Sequence, residues 1–186
     1  EAHRFGLKVA AHAISETGIW NCIQGGVDTI EHGHFLTSSS IEKMMEEKMV
    51  WVPTIYVYRQ IAEGQDLPEY AVNKAKRIVD IHRQAFEIAC GSDAGSPNTP
   101  HGSLIQEIEY MVEYGSQPFY ALKAATLTAA QAIGLDQDIG SLEAGKKADI
   151  LLLPKNPTYN ISNIREISYV IKEGNFVVNT PPSEKY

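Results

Sequence analysis

Two rhythms of apolar residues alternate along this chain. Short apolar runs that close on a polar residue, Leu7-Lys-Val-Ala-Ala-His12, Val27-Asp-Thr-Ile-Glu-His32, Met49-Val-Trp-Val-Pro-Thr54 and Ile88-Ala-Cys-Gly-Ser-Asp93, have the length and composition of buried strands. Between them apolar residues fall on helical spacing. Residues 13–25 carry Ile14, Ile19, Trp20 and Ile23 and stop at Gly25-Gly26; a helix is predicted over 40–48 and another over 69–87, ending near Phe86. Residues 55–68 read as loop. The opening Glu1-Ala-His-Arg-Phe-Gly-Leu7 resembles the last turns of a helix stopped by Gly6, with no N-cap before it and no initiating Met. We therefore expect a truncated, processed or partial chain.

Four strands separated by helices predict a parallel sheet in an α/β fold. His12, His32 and Asp93 all fall where a strand ends. In a (β/α)₈ barrel such ends converge on one mouth, and an open doubly wound sheet also gathers functional groups there, so periodicity leaves both architectures open. The tail is different. Helices over 103–114 and 118–133 lead into the glycine-punctuated run Gly140–Leu153, and Ile167–Gly174 with Asn175–Val178 reads as a hairpin, so the last residues form a small β appendage.

Composition narrows the function classes. With 44% hydrophobic and 21% charged residues the 186-residue chain is ordinary globular material, neither disordered nor collagen-like. Its formal charge is −7 and its basic residues are scattered, which argues against a nucleic-acid partner. No apolar run approaches the roughly 20 residues that span a bilayer, and no secretory pattern opens the chain; we expect no membrane partner and a cytoplasmic location. Cys22 and Cys90 lack CxxC spacing and read as small buried hydrophobes.

Five ordered motifs carry a family resemblance: Lys8-Val-Ala-Ala-His12, Gly26-Val-Asp-Thr-Ile-Glu-His-Gly33, Gly91-Ser-Asp-Ala-Gly95, Pro100-His-Gly102 and Gly140-Ser-Leu-x-x-Gly-Lys-x-Ala-Asp149. Over essentially the whole chain they resemble the imidazolonepropionase-like branch of the amidohydrolase superfamily, which includes metal-dependent dipeptidases of the prolidase and Xaa-Arg type. The resemblance implies that residues 1–138 are the C-terminal half of a (β/α)₈ TIM barrel, strands 5–8, and that 139–186 are C-terminal strands of a small β-sandwich domain. The family's strand-1 HxH and strand-4 lysine have no counterpart here. His32-Gly-His34 is an HxH string in the strand-6 motif and does not replace them. The missing N-terminal half of the barrel becomes an expected partner, and a homo-oligomer is expected as well.

The implied chemistry is metal-dependent hydrolysis of a carbon–nitrogen bond in a small amide, dipeptide or cyclic amide. A divalent metal, Zn²⁺ first, one ion or two, would activate a bound water. The resemblance makes His12, His32 and Asp93 metal ligands and Asp93 the proton shuttle between water and leaving amine. A strand-end His can instead be structural, and Asp93 could simply cap a helix. His101 and Tyr58 are the candidate substrate-binding residues. Tyr56 and Arg59 could recognise a carboxylate or merely pack their loop. His34 reads as a loop residue, His3 and His82 as surface residues, and Asp149 as the anchor of a turn. A deaminase of the same superfamily and a non-catalytic homologue or fragment are the alternatives.

Overall fold

The computed structural model describes residues 1–61 and 86–179. The helix predicted over 69–87 and His82 lie outside the described residues, apart from Phe86 and Glu87, which are not helical. The opening residues form a short 3-10 turn, Ala2–Phe5, instead of α-helix, and Gly6 stops it in the left-handed conformation.

Strands β1 (Ala10–Ala13), β2 (Thr29–His32) and β3 (Val50–Val52) form one sheet in that order, every pair parallel. Helix α1 (Glu16–Gly25) connects the first pair and α2 (Ser38–Glu46) the second. Their ends are chemically marked. Ser15 accepts from the Gly18 amide at 3.1 Å, and Thr37 with Ser40 forms a reciprocal capping box, which starts α2 two residues earlier than its apolar pattern suggests. The strand predicted over 88–93 is shorter than expected. Pairing continues from Trp51 to Ile88 through Trp51 N→Glu87 O (3.1 Å) and Ala89 N→Trp51 O (2.9 Å), and then the Cys90 amide turns to the Ala124 carbonyl at 3.0 Å. The backbone leaves the sheet because a helix end captures its donor.

Alternation along the strands divides the core. Ile30, Trp51 and Ile88 face the helices and pack with Ile19, Ile23, Ile41 and Met44. On the other face Val50 and Ala89 pack with Ala132, beside a hollow of about 610 Å³ reached by Ala10, Thr29, Glu31 and Val52.

Three further departures follow from hydrogen bonding and packing. Residues 55–61, expected as loop, form helix α3 (Ile55–Ile61), because the buried Glu107 carboxylate accepts the first two helical amides, Ile55 N at 2.8 Å and Tyr56 N at 2.6 Å. Glu107 lies on α4 (Leu104–Glu113). The single helix expected over 118–133 is two, α5 (Pro118–Ala124) and α6 (Leu127–Ala132). They break at Thr126, whose hydroxyl bonds back to the Leu122 carbonyl at 2.8 Å and whose backbone leaves helical geometry. A 3-10 turn, Ile161–Arg165, is not anticipated by periodicity; its Ile161 and Ile164 join the main core.

A second sheet, antiparallel, contains β4 (Ile150–Leu152), β5 (Tyr169–Lys172) and β6 (Asn175–Asn179). Glu173 and Gly174 both have positive φ, 48° and 82°, as a two-residue I′-type hairpin turn requires. Asp149 anchors that turn by accepting the Glu173 amide at 2.8 Å and the Lys172 ammonium at 2.5 Å, the structural role its position suggested.

Asp28, at the entry to β2, accepts from the Val9 amide (2.7 Å), Lys8 Nζ (2.8 Å) and His3 Nε2 (2.8 Å). Burial alone would push this carboxyl up, but the bonds from Lys8, His3 and Val9 and the Lys8 charge outweigh it and hold the group at about 2. The folded-state value lies below the unfolded one, so its stabilisation is complete above the ordinary carboxylate range and is lost as pH falls through about 2. Asp28→Asn is expected to cost on the order of 2 kcal/mol at neutral pH, and the cost should shrink steadily towards pH ~3. Urea denaturation at both pH values measures this; an equal loss at each would contradict it. Trp51, fully buried, donates its indole N–H to the His32 carbonyl at 3.0 Å. Trp51→Phe leaves that carbonyl without this donor and should cost about 1–3 kcal/mol beyond lost packing. An unchanged urea midpoint would show that the carbonyl finds another donor.

Candidate active site

Three non-glycine residues that follow successive sheet segments are left-handed: His32 (φ 70°) closes β2, Thr54 (φ 49°) lies two residues past β3, and Asp93 (φ 53°) lies in the loop after the Ile88 bridge. Such backbone is costly for a side-chain-bearing residue, of order 1–3 kcal/mol each, and least tolerable for β-branched Thr54. Lys48, Asn98 and Glu173 are left-handed as well, but only at this end of the first sheet does the conformation recur after successive segments. After His32, Gly33 (φ 58°) adds a second left-handed residue, and a Cβ there would lie 2.6 Å from Trp51 Nε1. Only glycine lets the chain turn this closely over the indole.

The turn gathers rings. His12, on the exposed edge strand β1, meets His32 edge to face with centroids 4.5 Å apart. His32 is buried, and its Nδ1 lies 2.7 Å from Thr54 Oγ1. Tyr58, on α3, stands 5.6 Å from His32, and His34 packs edge-on against Tyr58 at 3.9 Å. His34 lies in the turn after β2, as a loop residue should, and is at the same time a buried member of the cluster. The HxH string was its signal in the sequence; the left-handed Gly33 that folds it back was not readable there.

Glu31 is the register partner of His12. Burial pushes its carboxyl up, a hydrogen bond from the Thr29 hydroxyl at 2.5 Å opposes this, and the Asp93 charge raises it further. Two carboxylates therefore sense each other beside the imidazoles. Asp93 itself is exposed, accepts from Ser96 Oγ at 2.9 Å, and sits in a loop closed by Gly95 N→Thr99 O at 2.8 Å. It caps no helix, since α4 begins only at Leu104. His101 is exposed, with Nε2 about 4.0 Å from the Cβ position of Gly95, and lies against the Asp93 loop, not in the ring cluster.

Two candidates for carboxylate recognition turn elsewhere. Arg59 lies over the Tyr110 ring at 4.8 Å and pairs with Glu113 at 3.4 Å, while Tyr56 stacks on Tyr110. Both brace α3 on α4. Glu107 was missed in the sequence, although it falls on the same buried helical stripe as Ile108 and Met111, where an unpaired carboxylate would be very costly. Among the described residues no three His, Cys, Asp or Glu side chains gather as a metal-holding group. His12 and His32 are brought together, and their imidazole nitrogens suit a borderline divalent ion such as Zn²⁺.

Known proteins resemble the chain over nearly its whole length. Ochratoxinase of Aspergillus niger is 29% identical over 185 residues, covering 94% of this chain and 38% of the relative. Its crystal structure superposes with a TM-score of 0.86 at 26% identity, over 96% of this chain and 43% of that one. Imidazolonepropionase of Symbiobacterium thermophilum is 30% identical over 182 residues, covering 94% of this chain and 40% of the relative. A Xaa-Pro dipeptidase crystallised with bound methionine in its active site superposes with a TM-score of 0.85 at 31% identity, over 96% of this chain and 46% of that one. The chain spans less than half the length of these relatives. The amidohydrolase family profile matches residues 1–177, and the chain belongs to that family, in its imidazolonepropionase- and dipeptidase-like branch.

Proposed function

We propose that this chain carries the strand-end half of a hydrolase that cleaves a carbon–nitrogen bond in a small amide, dipeptide or cyclic amide. The observation that carries the reading is the imidazole pair His12–His32 on neighbouring parallel strands, His32 at the left-handed end of its own, in a chain of this family. Relatives named as an imidazolonepropionase and a Xaa-Pro dipeptidase support the substrate class. In this reading β1, β2, β3 and the Ile88 segment are strands 5–8 of a TIM barrel whose C-terminal half is residues 1–138, and residues 139–186 add strands to a β-sandwich domain. The remaining strands come from further chain, the working protein is a homo-oligomer, and its location is cytoplasmic.

His12 and His32 would hold a divalent metal, Zn²⁺ first; Asp93, which does not gather with them into a three-residue group among the described residues, would be a further donor once the other half of the barrel supplies the rest of the ligand set. When bound, the metal would lower the pKa of water and polarise the amide carbonyl. Asp93, oriented by Ser96, takes a proton on its carboxylate as water attacks and returns it to the departing nitrogen, so one group serves both halves of the reaction. Tyr58 and His101 line the approach and hold the substrate's polar groups.

In the intact protein Asp93→Asn is expected to lower kcat by about 10²-fold or more with a smaller effect on KM, since the proton acceptor is lost and the shape kept. Near wild-type kcat with a dipeptide substrate would remove Asp93 from the mechanism. Replacing His12 and His32 together by Ala should release at least one equivalent of bound metal by elemental analysis. Unchanged metal content would give both histidines a structural role.

A further inference from the structure

Thr54 is the residue through which α3 and β2 meet. Its single hydroxyl proton has an acceptor in the Pro53 carbonyl at 2.8 Å, a group that has no proton to give. The same oxygen lies 2.7 Å from His32 Nδ1. With the hydroxyl proton spent on Pro53, the contact to His32 is a hydrogen bond only if Nδ1–H donates and Oγ1 accepts. The lone pair of the His32 ring then belongs to Nε2.

That arrangement needs Thr54 in a backbone conformation that a β-branched residue avoids. The next two amides, Ile55 N and Tyr56 N, both end on Glu107, one on each carboxylate oxygen, at 2.8 and 2.6 Å. Glu107 is fully buried on α4, fifty-two residues away from Ile55 in sequence. Charge-assisted bonds of this kind are roughly twice as strong as neutral ones and are well suited to offsetting a strained residue.

We propose that Glu107 is a positioning residue: by holding the Ile55 and Tyr56 amides it fixes Thr54 where its hydroxyl oxygen accepts His32 Nδ1–H, and it thereby makes Nε2 the basic nitrogen of His32. The inference rests on the reading of His32 as a site residue only for its functional consequence; the relay itself is a statement about one ring's proton.

The test reads that proton directly. In the intact protein, labelled with ¹⁵N-histidine and treated with chelator, the His32 ring signals are identified by their loss in His32→Gln. Wild type should show a protonated Nδ1 and an unprotonated Nε2, and Thr54→Ser should keep this pattern. Thr54→Ala and Glu107→Gln should both shift His32 towards the other tautomer, with circular dichroism unchanged. In the metal-loaded enzyme Glu107→Gln should lower kcat about 10–100-fold with KM little altered, the scale of support for a site histidine. A wild-type His32 protonated on Nε2, or a folded Glu107→Gln with the wild-type pattern, overturns the proposal. Should Glu107→Gln fail to fold, hydrogen exchange at the Ile55 and Tyr56 amides of wild type decides: slow exchange at both supports the carboxylate clamp, and exchange as fast as in exposed loops overturns it. Because the ring spectrum is read without metal or substrate, absence of hydrolase activity would count against the proposed function and leave this result standing.

Discussion

Asp28 accepts from the Val9 amide and from the Lys8 and His3 side chains at once, and this one carboxylate ties the approach to β1 to the start of β2. With that tie made, Ala10 lies opposite Thr29, His12 opposite Glu31 and Ala13 opposite His32. A slip by one residue would send every side chain of β1 to the other face, separating His12 from His32 and turning Ala13 out of the core. The meeting of the two imidazoles thus needs this register together with the left-handed backbone at His32, and register is set at the far end of the strands from the rings.

The strained end has its own supports. Left-handed His32 and Thr54 store energy that would be released if either turn relaxed, and each is held by a buried group reaching in from another element. Trp51 pins the His32 carbonyl from β3, and Glu107 pins the amides after Thr54 from α4. Both supports are fully buried, so their hydrogen bonds do not compete with water and leaving either partner unmade carries a large desolvation cost. The site is therefore most rigid where His32 sits and more open at Asp93, whose own partner is the exposed loop residue Ser96.

The second sheet follows a separate logic. Its strands are antiparallel and short, its turn is made by Glu173 and Gly174, and its ties are surface ion pairs such as Lys147–Glu173 and Lys155–Glu166, which are worth little individually. It is joined to the rest by apolar packing and an ion pair. Ile161 and Ile164 enter the main core, and Arg165 clasps Glu109 on α4. Helix α4 thereby touches both parts, holding Ile55 and Tyr56 on one side and Arg165 on the other.

Sequence by itself determined the kind of structure and its family, because strand period, helix stops and five ordered motifs are local. It put His12 and His32 towards the ends of β1 and β2, since a polar residue closing an apolar run is a pattern of neighbours, but Asp93 falls in a loop beyond the Ile88 bridge because the Cys90 amide turns to Ala124. Helix α3 was invisible to it, because residues 55–61 become helical through a carboxylate fifty-two positions from Ile55. His34 lies in the turn after β2, as read, but its burial was not legible, since the left-handed Gly33 beneath Trp51 folds its ring against Tyr58. Arg59 and Tyr56 were free to be substrate ligands until α4 supplied Tyr110 and Glu113. The tertiary structure decided these because burial and hydrogen-bond completion act through space: a polar group that must leave water takes whichever partner packing brings to it, however far apart the two lie in the chain.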